Sequence, residues 1–168
     1  MTFNIYQTSV PAFMQTLNAV SALLAKAVAH AEAKKIEPAV LINARLAPDM
    51  LPLSRQIQIM SDAAKGAAAR LAGIDVPSFP DTETTFAELQ ARIAKTLDFL
   101  KGLKPAQFAG GETREVTLKM GGQDVKFTGA NYLSHLAFPN FYFHATTTYN
   151  ILRHNGIDIG KRDFIGTI

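Results

Sequence analysis

The chain has 168 residues, of which 48% are hydrophobic and 18% charged, and it carries a formal net charge of +3. That length and balance describe a single globular domain over residues 1–168, large enough to bury a core without covalent staples, and exclude a disordered chain. Cysteine is absent, which excludes disulfides, thiolate metal centres and cysteine nucleophiles.

The excess of positive charge makes no nucleic-acid footprint. Lys34-Lys35, Lys101, Lys104, Lys119, Lys126 and Lys161-Arg162 are scattered along the chain, whereas backbone binding needs several cations on one face. The opening MTFNIYQTSVPAFMQ lacks a basic stretch followed by an apolar run, so no secretory signal is expected. The longest apolar segment, Ala19–Ala33, is interrupted by Lys26, His30 and Glu32 and reads as too short to span a bilayer. The expectation is a soluble cytoplasmic protein with neither nucleic acid nor membrane as partner.

In chain order, Tyr6, Val10, Phe13, Leu17, Val20, Leu24 and Ala27 fall on one helical stripe. Pro11 predicts that the regular helix begins near it, since proline is tolerated in a first turn, and Lys34-Lys35 suits its end. Residues 36–52, with three prolines around AVLINARL, read as a long connector with one helical turn, its polar members Asn43, Arg45 and Asp49 being candidates for function or, for Asp49, helix capping. The second long helix, about Pro52 to Ala72, places Leu53, Ile57, Met60, Ala64, Ala67 and Leu71 on a seam and stops at Gly73. Residues 74–84 read as a proline-containing loop. Thr85-Phe-Ala-Glu88 is a capping box that opens a third helix on Phe86, Leu89, Ile93, Leu97 and Leu100.

The period then changes from helical to alternating. Glu115–Met120 and Gln123–Phe127 flank Gly121-Gly122, the signature of a β-hairpin, which must lie against the helices or a second subunit to be stable. Gly129 leads into a last helix with Phe138, Phe141, Ala145, Thr148 and Leu152 on one face and a stop at Gly156. Pro139 is expected to kink or break it and free a carbonyl near His135. The tail IDIGKRDFIGTI should pack back on the bundle through Phe164 and Ile165. The whole is an all-α four-helix bundle with a small hairpin before the last helix.

The segment Gly129–Gly156 holds three of the four histidines and is where a site is expected. Ser54, Ser134 and Thr146–Thr148 lack any nucleophile-elbow context. The aromatic set Phe138, Phe141, Tyr142, Phe143 and Tyr149 reads as core or dimer face. A polar pocket inside the bundle would draw on His144, Asn140, Asp49, Arg55 and Gln56, with an Arg55–Asp49 salt bridge as the purely structural reading of two of them.

Two stretches, LINARLAPDMLPLSRQIQ (Leu41–Gln58) and HLAFPNFYFHATTTYNILRHNGIDIGKRDFIG (His135–Gly166), resemble a bacterial domain-of-unknown-function branch of the DinB-like (DinB/YfiT) superfamily. The resemblance implies an up-down-down-up four-helix bundle and frequent homodimers. In many members it also implies a divalent metal on three histidines, one on the second helix and a pair four residues apart on the last, and in some a metal-dependent thiol transferase. On that pattern His144 matches the second of the pair, the first falls at Asn140, and the second helix has no histidine. The inherited site therefore reads as degraded, leaving a small-ligand-binding or dimerisation module with no cofactor. A rebuilt zinc or nickel site would take His144, Asp49 and either His135 or a second carboxylate, and would support a thiol-using transferase or hydrolase instead. On one regular helix His135 and His144 point apart, so only a distortion at Pro139 could bring His135 round.

Overall fold

The computed structural model describes residues 4–167; Met1–Phe3 and Ile168, on which the reading of the first and last segments partly falls, lie outside the described residues. Helix α1 runs Ile5–Lys34, α2 Pro38–Ile42, α3 Leu53–Ala72 and α4 Phe86–Gly102. A short 3-10 turn at Pro105–Phe108 precedes strands β1 (Glu115–Met120) and β2 (Gln123–Thr128), and α5 (Gly129–Tyr132), α6 (Phe138–His154) and α7 (Lys161–Ile165) complete the chain.

The direction of each long helix follows from its cross-contacts. Tyr6 near the start of α1 meets Phe108, just beyond the end of α4, with ring centroids 5.1 Å apart, while Val28 and Phe86 share a cleft at the opposite end, so α1 and α4 are antiparallel. Arg55 pairs with Asp81, ahead of α4, and Ser61 hydrogen-bonds Thr96 farther along it, so α3 and α4 run the same way. Gln56 meets His144 and Arg70 meets Tyr132, which sets α6 antiparallel to α3. The result is the up-down-down-up order, with α1 and α3 each packed between α4 and α6.

The stripes meet in one connected core. Phe13, Leu17 and Leu24 of α1, Leu53, Ile57, Met60 and Leu71 of α3, Leu89, Ile93 and Leu100 of α4, and Phe141 and Leu152 of α6 are all sealed from solvent. Burying a residue of this size contributes about 1.5–3 kcal/mol. By length and composition alone α1 could cross a membrane, contrary to the reading of Ala19–Ala33 as too short. Its apolar stripe is buried against the other helices.

Three local expectations are corrected. Helix α1 begins at Ile5, six residues before Pro11, because Asn4 Oδ1 accepts from Gln7 N (2.9 Å) and Glu112 Oε1 accepts from Ile5 N (3.0 Å). Pro11 and Gln7, whose carbonyl would bond a residue there, both lie on the exposed face, where water replaces the lost partner. Asp49 does not cap α3: Pro52 occupies the cap position, with no side-chain bond. Pro139 does not break the last helix: the backbone runs from a π-helical turn at Leu133–Ala137 directly into α6, and the distortion expected near His135 takes the form of that turn.

The hairpin pairs Glu115 with Thr128 through Met120 with Gln123, and Gly121 and Gly122 both take positive φ, as a tight turn between strands demands. It is anchored on the bundle by buried Val116 and by Phe127, whose ring lies 6.2 Å from that of Tyr132. The tail returns to α1: Lys26 Nζ pairs with Asp163 Oδ1 at 2.7 Å and Gln15 Nε2 donates to the Ile165 carbonyl at 2.9 Å.

Candidate functional site

His144 sits one turn beyond Asn140 on α6 and faces α3. Its Nδ1 lies 2.7 Å from Gln56 Oε1. The other end of the Gln56 amide donates to the Leu51 carbonyl at 2.9 Å, so Oε1 is the acceptor and the imidazole proton is assigned to Nδ1. The pair is nearly enclosed, Gln56 being 1% and His144 9% exposed. Burial lowers the His144 pKa and favours the neutral ring. Nε2 therefore presents a lone pair. Among the described residues the one sealed side-chain nitrogen or oxygen without a partner is Arg92 Nε, so Nε2, which has no protein partner, keeps a solvent edge.

The other expected site residues do not join this pair. Asn140 is exposed and lines a groove of about 340 Å³ with Asp62, Arg70 and Tyr132. Asp49 is exposed in the connector. Arg55 turns away from it: its guanidinium donates to Asp81 Oδ2 at 2.6 Å and to Gln58 Oε1 at 2.7 Å. His135 is exposed on the π-helical turn beside Ser134, because that turn continues the helix and does not rotate the ring inward. Thr147 and Thr148 return their hydroxyls to the carbonyls of Phe143 and His144.

The three-residue metal set His144, His135 and Asp49 is thus not assembled. Among the described residues no group of three or more histidines and carboxylates could hold a metal ion. At the position to which the resemblance assigns a metal, one imidazole faces a carboxamide already bonded to it, a donor set unsuited to zinc or nickel, which want three or four good donors.

A polar cluster that the sequence reading missed is built around Arg92, whose side chain is 1% exposed. Its guanidinium reaches Asp62 Oδ1 (2.8 Å), Asp81 Oδ1 (2.9 Å) and Glu83 Oε1 (2.9 Å). Lys65 shares Asp62 at 2.7 Å and Gln58 Nε2 donates to Glu83 at 2.8 Å. Burial alone would raise the carboxyls of Asp81 and Glu83, but the hydrogen bonds from Arg55 and Arg92 to the first, and from Arg92 and Gln58 to the second, outweigh it and hold both below their ordinary range. The signal was present in the pattern: Arg92 stands on the buried face of α4 between Leu89 and Ile93 and Thr96, and a charge within an apolar stripe requires partners. The cluster ties down residues 73–85, with Lys65 and Lys95 lying over the Phe79 ring at 4.8 and 4.1 Å.

The up-down-down-up helices, the hairpin before α6 and the α3–α6 polar pair together define a DinB-like helical bundle. The chain belongs to the family described as Domain of unknown function (DUF1993), which matches residues 5–165. Its fold is similar to the crystal structure of a DinB family member protein from Shewanella denitrificans, with a TM-score of 0.89, 42% sequence identity, and 98% of this chain and 93% of that chain covered. No curated protein matches the chain.

Proposed function

We propose that this DinB-like protein is a metal-independent binding module for a small organic ligand, with the His144–Gln56 pair standing where the superfamily's metal centre would be. The carrying observation is the bond from His144 Nδ1 to a glutamine that is itself fixed by the Leu51 carbonyl. A ring held in this way offers a single oriented acceptor, Nε2, suited to a hydroxyl or amide of a bound molecule.

Calorimetric titration with zinc and nickel tests the reading. Untagged protein should take up neither ion stoichiometrically, whereas Gln56→His combined with Asn140→His should create one zinc site that includes His144. One-to-one zinc binding by the unaltered protein, lost in His144→Ala, would overturn the reading and restore the thiol-using transferase or hydrolase. The resemblance also supports a homodimer, for which light scattering would give twice the 18.2 kDa chain mass; a monomer at high concentration overturns that part.

A further inference from the structure

We propose that the groove between α3 and the segment entering α6 binds a small carboxylate with an apolar body, and that Arg70 is its anion anchor. This rests on the reading of the chain as a binding protein, and assigns a ligand class to a groove that His144 and Gln56 do not line. The groove, about 340 Å³ in volume, falls in the range of small-molecule clefts.

Arg70 is the charge there that no acid answers. Its side chain is half-buried, it forms no ion pair among the described residues, and its Nη1 donates only to the Tyr132 hydroxyl, at a long 3.3 Å. A guanidinium is a five-donor fork matched to a carboxylate, and partial burial on one weak neutral bond leaves most of that capacity unused. Asp62, the acid on the same wall, is committed elsewhere: its Oδ1 is shared by Arg92 at 2.8 Å and Lys65 at 2.7 Å.

Two features hold the anchor in position. A Cβ at Gly66 would stand 2.6 Å from Arg70 Nη1, so the glycine lets the guanidinium lie flat along α3. Tyr132 is buried and braced by the Phe127 ring, which fixes its hydroxyl beside the guanidinium. Opposite, the exposed Asn140 carboxamide has no side-chain partner among the described residues and can donate to the second carboxylate oxygen. Ile59, Leu136 and, from the hairpin, Leu118 form the apolar wall.

The test is an NMR titration with sodium 4-methylpentanoate and, separately, its neutral counterpart 4-methylpentan-1-ol. The carboxylate should give saturable shifts at the Tyr132 ring and the Asn140 side-chain amide, with the alcohol and the Arg70→Gln protein each weaker by on the order of tenfold and Arg70→Lys between. Melting curves of both variants establish that they fold, and the comparison of acid with alcohol on unaltered protein stands without them. An equal response to the alcohol overturns the proposal, as does binding unaffected by Arg70→Gln. No saturable shift at Tyr132 up to about 50 mM, beyond the millimolar affinities expected of such fragments, also overturns it. Saturable shifts confined to His144 and Gln56 would sink this site and leave the binding-module reading standing; one-to-one zinc uptake would sink that reading whatever Arg70 does.

Discussion

His144 gives its Nδ1 proton to Gln56 Oε1 across 2.7 Å, joining two helices through residues 88 positions apart in the chain. The glutamine's other end is bonded to the Leu51 carbonyl, so the amide cannot turn from the ring without breaking a second contact. Gln56→Leu would strand the imidazole N–H in a nearly dry environment and leave the Leu51 carbonyl without its side-chain donor. Urea unfolding should register a loss of about 1–3 kcal/mol, the cost of orphaned buried polar groups; an unchanged midpoint would show that the pair is not closed in solution.

The titration of His144 follows from the same enclosure. Burial depresses its pKa below the ordinary 6.5, so the unfolded chain binds the proton more readily than the folded one. Its contribution to stability is therefore complete above about pH 6.5, diminishes as the pH falls from there toward the folded pKa, and levels off below it. Ring carbon-proton shifts should show His144 titrating below 6.5, with the Nδ1–H tautomer persisting until it protonates.

Arg92 is the member of the crossing-segment cluster whose removal should matter most. Arg92→Leu would leave Asp62, Asp81 and Glu83 facing each other without the cation that joins them. A loss of about 3 kcal/mol is expected in denaturant unfolding. Proteolysis should then cut first within residues 73–85.

Acid should release the same segment in the unaltered protein. Asp81 and Glu83 have folded pKa values below their ordinary 3.8 and 4.5. Their contribution is present above those values and is lost as the pH falls through the lower folded ones. Melting temperatures measured from pH 6 downward should fall more steeply for the unaltered chain than for Asp81→Asn with Glu83→Gln. Parallel curves would remove these carboxyls from the acid response.

Gly129 is the position least tolerant of a side chain. A Cβ there would overlap the Gly111 carbonyl oxygen and crowd Leu71, where Ala130 N also bonds the Glu112 carbonyl at 2.9 Å. Gly129→Ala should cost ~3 kcal/mol by overpacking, whereas Gly102→Ala, with open space around it, should be neutral or mildly stabilising in the same melting assay.

The helices were legible because their stop and start signals are local. Thr85 and Glu88 close the capping box as read, Gly73 ends α3 with φ 71°, and the Gly121-Gly122 turn forms where the alternation reverses. What was misread depended on partners distant in sequence. Nothing near Asn4 announces that Glu112 will bond the first turn of α1 from 107 residues away and extend it past Pro11. Arg55 was assigned to nearby Asp49 but takes Asp81, because the chain between α3 and α4 returns alongside both helices. In the candidate site, the sequence places His144 and Gln56 together among the polar residues of an interior pocket, and the structure pairs them. That Gln56, and not Asp49 or Arg55, would be the residue opposite His144 depends on how α3 and α6 are staggered, which local spacing does not show.

Two neighbouring helices that point the same way set a minimum length for what joins them. With 20 residues, α3 is about 30 Å long, and an extended chain covers at most about 3.3–3.6 Å per residue, so the return needs roughly nine residues. The thirteen between Ala72 and Phe86 leave only about four to spare, and those allow the bend that carries Phe79, Asp81 and Glu83 inward. Shortening by two or three would straighten the path and cost the ion pairs; removing more would leave α4 unable to begin at the correct end of the bundle.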